Sequence, residues 1–401
     1  MTFWQVLAML AGLVCVLGTT SSVLRNLVVP RRLRSGLTRR ISRVVAVPFR
    51  FVAYRSSVYA TRDKILAWAA PLTIIVILVS WLVLYLVGYG LLIYAIGNLS
   101  LAAAFREAGS SVLTLGFAST DRSRLTVVDF AAAMTGPIVI GLQVGYLPAL
   151  YAAYNRREAE VTLLDSRAGE PNWGPEILAR HSSVSSLDNL AELYRGWERW
   201  SAEVSESHSN YPILIFFRSQ EASRNWLVGL LSVMDSAALM LSLNPSLRQG
   251  EARMAIRMGF VCLRALAKTM GLPYDADPDP DDPITLTYDE FLDGIARLER
   301  GGFPMERTPE EAWPHFRGWR VNYEAVAYRL AYVIDAVPAL WSGPRRGVRE
   351  ASPPRTPLNR EPGGYVGRPQ SWSVPLDGSA TGEAAGEAIG EAAGEQPEPS
   401  E

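Results

Sequence analysis

Three long apolar runs in the first part of the chain predict three membrane-spanning helices. They cover residues 3–24, 66–96 and 127–154, and each reaches the roughly 20 residues that a helix needs to cross a bilayer. The second run contains no charged residue. The first run has the length of a secretory signal peptide, but it lacks a basic amino-terminal region and a convincing A-x-A cleavage site. These features favour a retained helix over a cleaved signal.

Between the second and third runs lies a semi-polar stretch, residues 100–120, that reads SLAAAFREAGSSVLTLGFAST. Its first half has helical composition and its second half is rich in Ser, Thr and Gly. Non-helical backbone persists at membrane depth only where it is buried in protein or lines a watery cavity. The stretch therefore predicts a re-entrant pore loop, and an extracellular hairpin without function is the alternative.

The third apolar run carries small residues and prolines at defined positions. Gly136 precedes Pro137, and Gly141 lies four residues before Gly145. Small residues four apart let two helices approach closely, and an internal proline bends a helix. The pattern predicts either a bendable helix that lines a pore or a helix that packs tightly on a neighbour, and the glycines alone do not separate the two.

The rest of the chain predicts a helical domain and a tail. After a linker at 158–173, residues 174–343 have helical periodicity, with helices expected over 223–243, 246–270 and 320–340. Capping boxes at Thr287 and Thr308 open two further helices. The short apolar run 213–217 predicts a helix start or a buried strand. Residues 344–401, rich in Pro, Gly and Glu-Ala-Ala-Gly repeats, have the composition of a disordered tail.

Charge is distributed unevenly, although the chain as a whole has a net charge of −1. Residues 25–64 contain eleven Lys or Arg and a single acid, Asp63. Short loops rich in Lys and Arg stay in the cytoplasm. This places the amino terminus and residues 100–120 outside the cell, and everything from Asn155 onward in the cytoplasm.

The basic segment 25–64 interleaves arginines with apolar residues. Such a segment either lies along anionic lipid headgroups or forms a solvated basic loop. Its position between two predicted spans favours membrane lipid over nucleic acid as its partner.

Candidate chemistry is sparse. Cys15 and Cys262 lie far apart, which predicts neither a disulfide framework nor a zinc site. The acidic segment 275–283 lacks the glycine and glutamate that an EF-hand needs at its sixth and twelfth positions. His181 and His208 are interpreted as surface or capping residues. The sequence predicts no enzyme activity, no cofactor and no structural metal.

Five residues of this stretch connect the pore-loop hypothesis with a known family: Thr114, Leu115, Gly116, Phe117 and Ala118. Placed between two spans and after a short helical segment, they resemble the selectivity filter of two-transmembrane potassium channels. In that family, T-V-G-Y-G loops from four subunits aim backbone carbonyls at a common axis and replace the hydration shell of the ion. The resemblance covers residues 65–157.

The resemblance implies a complete pore module. Residues 66–96 would be the outer helix, Leu101–Val112 the pore helix, 114–118 the filter and 127–154 the inner helix. It further implies a homotetramer in the cell membrane and a permeant monovalent cation, potassium. Ala118 stands where the family has its second glycine, and a Cβ there predicts about 1 kcal/mol of backbone strain per subunit and weakened potassium selectivity.

Together these patterns predict an all-α membrane protein. It has three transmembrane helices, a re-entrant pore loop between the second and third, a helical cytoplasmic domain and a disordered tail. The function expected is passive cation conduction through the degenerate TLGFA filter. The alternative is a membrane-anchored scaffold or sensor with a vestigial, non-conducting pore fold and a partner-binding cytoplasmic domain.

Overall fold

Every regular element of the described chain is an α-helix or a short π or 3₁₀ turn. The computed structural model describes residues 2–29, 36–119, 123–247, 250–342 and 354. The α-helices are α1 (Phe3–Val23), α2 (Gly36–Ala53), α3 (Tyr59–Ala67), α4 (Ala69–Gly97), α5 (Leu101–Val112), α6 (Thr126–Ala168), α7 (Gly174–Ser183), α8 (Leu190–Asn210), α9 (Trp226–Leu243), α10 (Gly250–Met270), α11 (Tyr288–Arg300) and α12 (Pro309–Ile334).

The described residues divide into two units. The first unit contains Met1–Val52, Ile65–Arg156 and Ser207–Phe217, and so holds all three predicted spans and the loop between the second and third. The second unit contains Ala53–Lys64, Arg157–Glu206 and the described residues from Arg218 onward.

Helices α1 and α4 of the first unit pack through small residues and polar pairs. A Cβ added to Gly12 would lie 2.7 Å from the carbonyl oxygen of Gly88, so only glycine allows this separation of the two backbones. The indole Nε1 of Trp81 donates a hydrogen bond to Ser22 Oγ at 3.1 Å. In lipid the hydrophobic effect does not bring helices together, so their association depends on contacts of this kind.

Four helices are long and apolar enough to cross a membrane: Phe3–Val28, Tyr59–Gly97, Thr126–Ala168 and Trp226–Leu243. The first three leave most of their apolar surface exposed, which is compatible with a membrane location. The fourth, α9, has every residue buried inside the second unit. A helix that is apolar all round is either lipid-embedded or a core helix, and full enclosure by protein accounts for α9.

Helix α2 is amphipathic. Leu37 and Ile41 pack against the α1–α4 cluster, whereas Val44, Val47 and Phe51 are exposed large apolar side chains. This helix therefore exposes both basic and large apolar side chains, and the part of the basic segment at 30–35 lies outside the described residues.

The second unit is built around α9, which packs against α7, α10 and α12. Asp235 lies in the middle of α9 and is fully buried. Its carboxylate accepts hydrogen bonds from Tyr323 Oη at 2.6 Å and from Arg320 Nη1 at 2.5 Å. The Arg320 guanidinium also donates to Glu324 Oε1 at 2.9 Å. Pairing of this kind is required of a charge removed from water.

A second buried carboxylate, Glu176 of α7, joins α7 to α11. Arg180 Nε donates to its Oε1 at 2.7 Å, and Arg297 Nε donates to its Oε2 at 2.6 Å. Burial opposes the charge on Glu176, but the hydrogen bonds and positive charge of Arg297 and Arg180 outweigh burial and lower the pKa of the carboxyl group.

Several helix boundaries differ from the sequence prediction. Helix α6 continues to Ala168, so the prediction of a linker is wrong for residues 158–168. The polar residues after Tyr154 end an apolar span, but they favour helix as strongly as the residues before them. Residues 320–340 are not a separate helix, because α12 runs without a break from Pro309 to Ile334.

Other local predictions have mixed outcomes. Both capping boxes are confirmed, with Glu290 and Glu311 as the reciprocal partners of Thr287 and Thr308. The run at 213–217 is neither a strand nor an α-helix start, because Pro212–Phe216 forms a 3₁₀ helix. The predicted tail lies, apart from Pro354, outside the described residues.

The surface interpretation of two histidines is wrong, because His181 and His208 are both buried. His181 Nδ1 lies 2.7 Å from the carbonyl oxygen of Ile177, one helical turn earlier. Burial lowers the pKa of His181. A polar ring can be enclosed here because a backbone carbonyl satisfies it.

The Glu176 cluster predicts acid sensitivity. Because the pKa of Glu176 is lowered from its ordinary value of 4.5, its charge stabilises the fold above pH 4.5, and this contribution is lost as the pH falls further. Removing one partner of a buried ion pair costs about 3–5 kcal/mol. We expect Glu176→Gln to lower the melting temperature at neutral pH and to flatten its dependence on pH below 4.5.

The measurement is thermal unfolding of the full chain in detergent between pH 3 and 7, with Glu192→Gln as the control because Glu192 is an exposed acid of α8. Identical pH profiles for Glu176→Gln and the parent protein would contradict the assignment.

Candidate functional site

Helix α5 is positioned by a tight turn and by one aromatic contact. Asn98 ends α4 in a left-handed conformation, and the Ser100 side chain accepts a hydrogen bond from Ala103 N at 3.3 Å to cap α5. Phe105 packs on α4 at Gly90, where an added Cβ would lie 3.1 Å from the phenyl ring. The helix bounds, Leu101–Val112, agree with the segment predicted as a pore helix.

The residues that follow α5 fold back on Ser110. The carbonyl oxygen of Ser110 accepts hydrogen bonds from Leu115 N at 2.8 Å and Gly116 N at 3.4 Å. The Ser110 hydroxyl accepts a third bond from Ala118 N at 3.0 Å. One buried serine therefore satisfies three N–H groups of the filter-like segment, residues 114–118.

The carbonyl oxygens of this segment differ from its N–H groups in having no protein partner within the described chain. Among the described residues, the carbonyl oxygens of Thr114 to Ala118 accept no hydrogen bond. Residues 114–117 are exposed, so these oxygen atoms are open to solvent in the single chain, whereas Ser110 holds three of the N–H groups of the segment.

Left-handed backbone occurs at two positions in the segment. Thr114 has φ +55° and Gly116 has φ +68°. Ala118 is not among the residues with positive φ, so the strain predicted for its Cβ is not found. The prediction was wrong because it assigned the family's backbone angles to Ala118, whose N–H is instead directed to Ser110.

The side chains of this segment are open to solvent in the single chain. Leu115 is 59% exposed and Phe117 is 56% exposed. The Arg106 guanidinium carbon lies 5.4 Å from the centroid of the Phe117 ring, in cation–π range. One chain alone therefore leaves most of both apolar side chains uncovered.

Glu107, next to Arg106 in sequence, points elsewhere and is buried. Its carboxyl group hydrogen-bonds the side chain of Asp129 at the start of α6, and Ser111 Oγ donates to Asp129 Oδ1 at 3.5 Å. This pair joins α5 to α6 behind the loop.

Sequence reasoning missed the carboxyl pair. The available signal was the presence of one acid in each of two neighbouring apolar helices, since buried acids are rare unless paired.

The glycines of α6 have different surroundings. A Cβ on Gly136 would lie 1.8 Å from the carbonyl oxygen of Val112, so this glycine lets α6 cross the end of α5. Gly141 and Gly145 have no described atom within 4 Å of an added Cβ. Pro137 is exposed, and the helix continues through it. Gly136 therefore has a packing role within one chain, and the Gly141–Gly145 face is open.

These surroundings predict different effects of one substitution at two positions. We expect Gly136→Ala to destabilise the protein, because the new methyl group collides with backbone that cannot move independently of α5. Gly18→Ala, in open space on α1, is the matched control and should leave the stability unchanged or slightly raised. Thermal unfolding in detergent measures both, and equal melting temperatures for the two variants would contradict the packing role.

Comparison with known proteins adds no relative to this description: no family model, no curated protein and no solved structure matches the chain.

Proposed function

We propose that four copies of this chain form a pore in the cell membrane that conducts monovalent cations passively, with potassium as the expected ion. The observation that carries the proposal is the division of hydrogen bonds in residues 114–118. Leu115, Gly116 and Ala118 donate their N–H groups to Ser110, and Thr114 N donates to the carbonyl oxygen of Ser111. In the described part of the chain, the carbonyl oxygens of the segment accept no hydrogen bond. Carbonyl oxygens presented by several copies around one axis replace the water that surrounds a cation.

The carboxyl end of α5 also favours a cation as the ligand of this segment. A helix carries about half a negative charge at its carboxyl end, and α5 ends at Val112, immediately before the filter-like segment. A cation held by residues 114–118 would therefore meet a favourable field from each copy.

Self-association is supported by what one chain leaves uncovered. Leu115 and Phe117 are largely exposed, and the Gly141–Gly145 face of α6 is open. Glycines four apart permit close approach of a second helix in a membrane. Copies of the chain would cover both surfaces and bring the four filter-like segments together.

The orientation follows from charge. The eleven Lys or Arg between residues 25 and 64 favour a cytoplasmic position for α2. In this orientation the exposed apolar residues of α2 would enter the interface and its arginines would contact anionic headgroups. The segment 100–120 would face outward and the second unit would be cytoplasmic.

Gly116 provides the first test. At φ +68°, replacement by alanine costs about 1–2 kcal/mol in each copy and distorts the segment. We expect Gly116→Ala to abolish most of the potassium flux into liposomes that contain the purified protein. Gly109→Ala is the matched control, because an added methyl group there makes only an ordinary 3.6 Å contact with Leu86.

Native mass spectrometry of the same samples reports the number of copies. A parent protein that is monomeric, or that forms tetramers without any cation flux, would overturn the pore proposal. The second of these results is the one expected of a membrane-anchored scaffold.

Ala118 provides a test of selectivity. Glycine at this position permits the left-handed angles found in the potassium-channel family. We expect Ala118→Gly to raise the ratio of potassium to sodium flux in liposomes while total flux persists. Ala102→Gly, at an exposed position of α5, controls for the added chain flexibility. A flux ratio that is the same in both variants would show that residue 118 has no part in selectivity.

A further inference from the structure

Helix α10 presents two adjacent stripes on its outer side. Arg253, Arg257, Arg264 and Lys268 form a basic stripe, since their spacings of 4, 7 and 4 residues return to one side of a helix. Met254, Met258 and Val261 form an apolar stripe beside it, and Met254 and Val261 are 49% and 50% exposed. We call these seven residues the α10 face.

The contact between α10 and α9 does not use this face. The opposite side of α10 makes the contact with α9, where an added Cβ on Gly259 would lie 2.5 Å from Met234 Sδ. On the α10 face, the guanidinium carbons of Arg253 and Arg264 lie 5.9 and 5.8 Å from the rings of Trp319 and Phe260. These stacks hold two of the four positive charges at defined positions.

Charge complementarity identifies an occupant within the same chain. Residues 383–395 read EAAGEAIGEAAGE, with a glutamate at every fourth position and Ile389 as the single large aliphatic residue. No Lys or Arg follows Arg368. In α10 itself, four bases accompany one acid, Glu251.

We propose that the α10 face is the docking surface for the acidic carboxyl-terminal segment 383–395 of the same chain. The four glutamates pair with the basic stripe, and Ile389 contacts the apolar stripe. This inference concerns the second unit and the tail, and it does not depend on ion conduction.

A weak contact is sufficient because the two partners are tethered. An exposed ion pair contributes only about 0.2–1 kcal/mol. However, linking two partners by a flexible connection gives an effective concentration in the millimolar range. The connection from Ser342 to Glu383 can reach at most ~135 Å when fully extended, so its length does not prevent docking.

The lysine content of the chain makes this contact directly measurable. The chain contains two lysines, Lys64 and Lys268, and Lys268 belongs to the basic stripe. A carbodiimide joins a lysine amine to a carboxylate only when the two are in contact. We expect the full chain in detergent at low ionic strength to yield a cross-link between Lys268 and a glutamate of 383–395, identified by peptide mass spectrometry.

Charge reversal tests the specificity of the cross-link. The Arg253→Glu, Arg257→Glu double variant should reduce its yield at least several-fold. The matched control reverses Arg195 and Arg199, which have the same spacing and are exposed on α8, and it should retain the yield. Added salt at 0.5 M should also reduce the yield, because salt screens exposed charges.

Two results would overturn the proposal. One is a missing Lys268 cross-link, or a yield that both double variants leave unchanged. The other concerns an anionic membrane surface as the occupant. If, in nanodiscs that contain phosphatidylglycerol, the α10 face is protected from hydrogen exchange equally with and without residues 375–401, lipid rather than the tail covers it.

Discussion

Close approach between backbones at glycine is the constraint on which the first unit depends. In a membrane, lipid chains are as apolar as the helices, so association relies on contact area rather than on release of water. Three glycines supply that contact in turn. Gly12 of α1 lies against the backbone of α4, and Gly90 of α4 lies against the Phe105 ring of α5. Gly136 of α6 lies against the carboxyl end of α5. The filter-like segment begins where the last of these contacts ends.

Hydrogen bonds between the filter-like segment and Ser110 complete its positioning. Ser110 uses both its carbonyl and its hydroxyl group to accept hydrogen bonds from three N–H groups within the next eight residues. A buried polar group costs free energy unless it has hydrogen-bond partners. The partners of Ser110 belong to the filter-like segment, whose conformation they fix. The geometry of the loop is therefore encoded one turn before it, in α5.

Much of the architecture could be predicted from the sequence. The three apolar runs and the bounds of α5 depend on composition and capping, which are local properties, and the structure has helices at all of them. The carboxyl end of α6 could not be predicted, because the loss of hydrophobicity after Tyr154 ends a potential span without ending a helix. The partnership of Glu107 with Asp129 joins residues 22 positions apart, and hydrophobic periodicity contains no information about such a pair.

The sequence predicted a non-helical segment after α5, but it did not predict the surroundings of the individual residues. Thr114 and Gly116 were recognised as filter-like, and they are the two left-handed positions of the loop. The sequence motif did not separate Gly136, which packs inside one chain, from Gly141 and Gly145, which face open space. That difference depends on which side of α6 meets α5, and helical spacing alone leaves it undetermined.

The enclosure of α9 has a consequence for how the chain is made. During synthesis α9 emerges as an 18-residue apolar segment that a translocon can accept as a span. Arg320, which pairs with Asp235, follows 85 residues later, a delay of roughly 4–17 seconds at 5–20 residues per second. A carboxylate at the centre of a span disfavours insertion by about 2.5–3.5 kcal/mol. Asp235 thus disfavours insertion of the segment during the interval before the helix that carries its partner has been made.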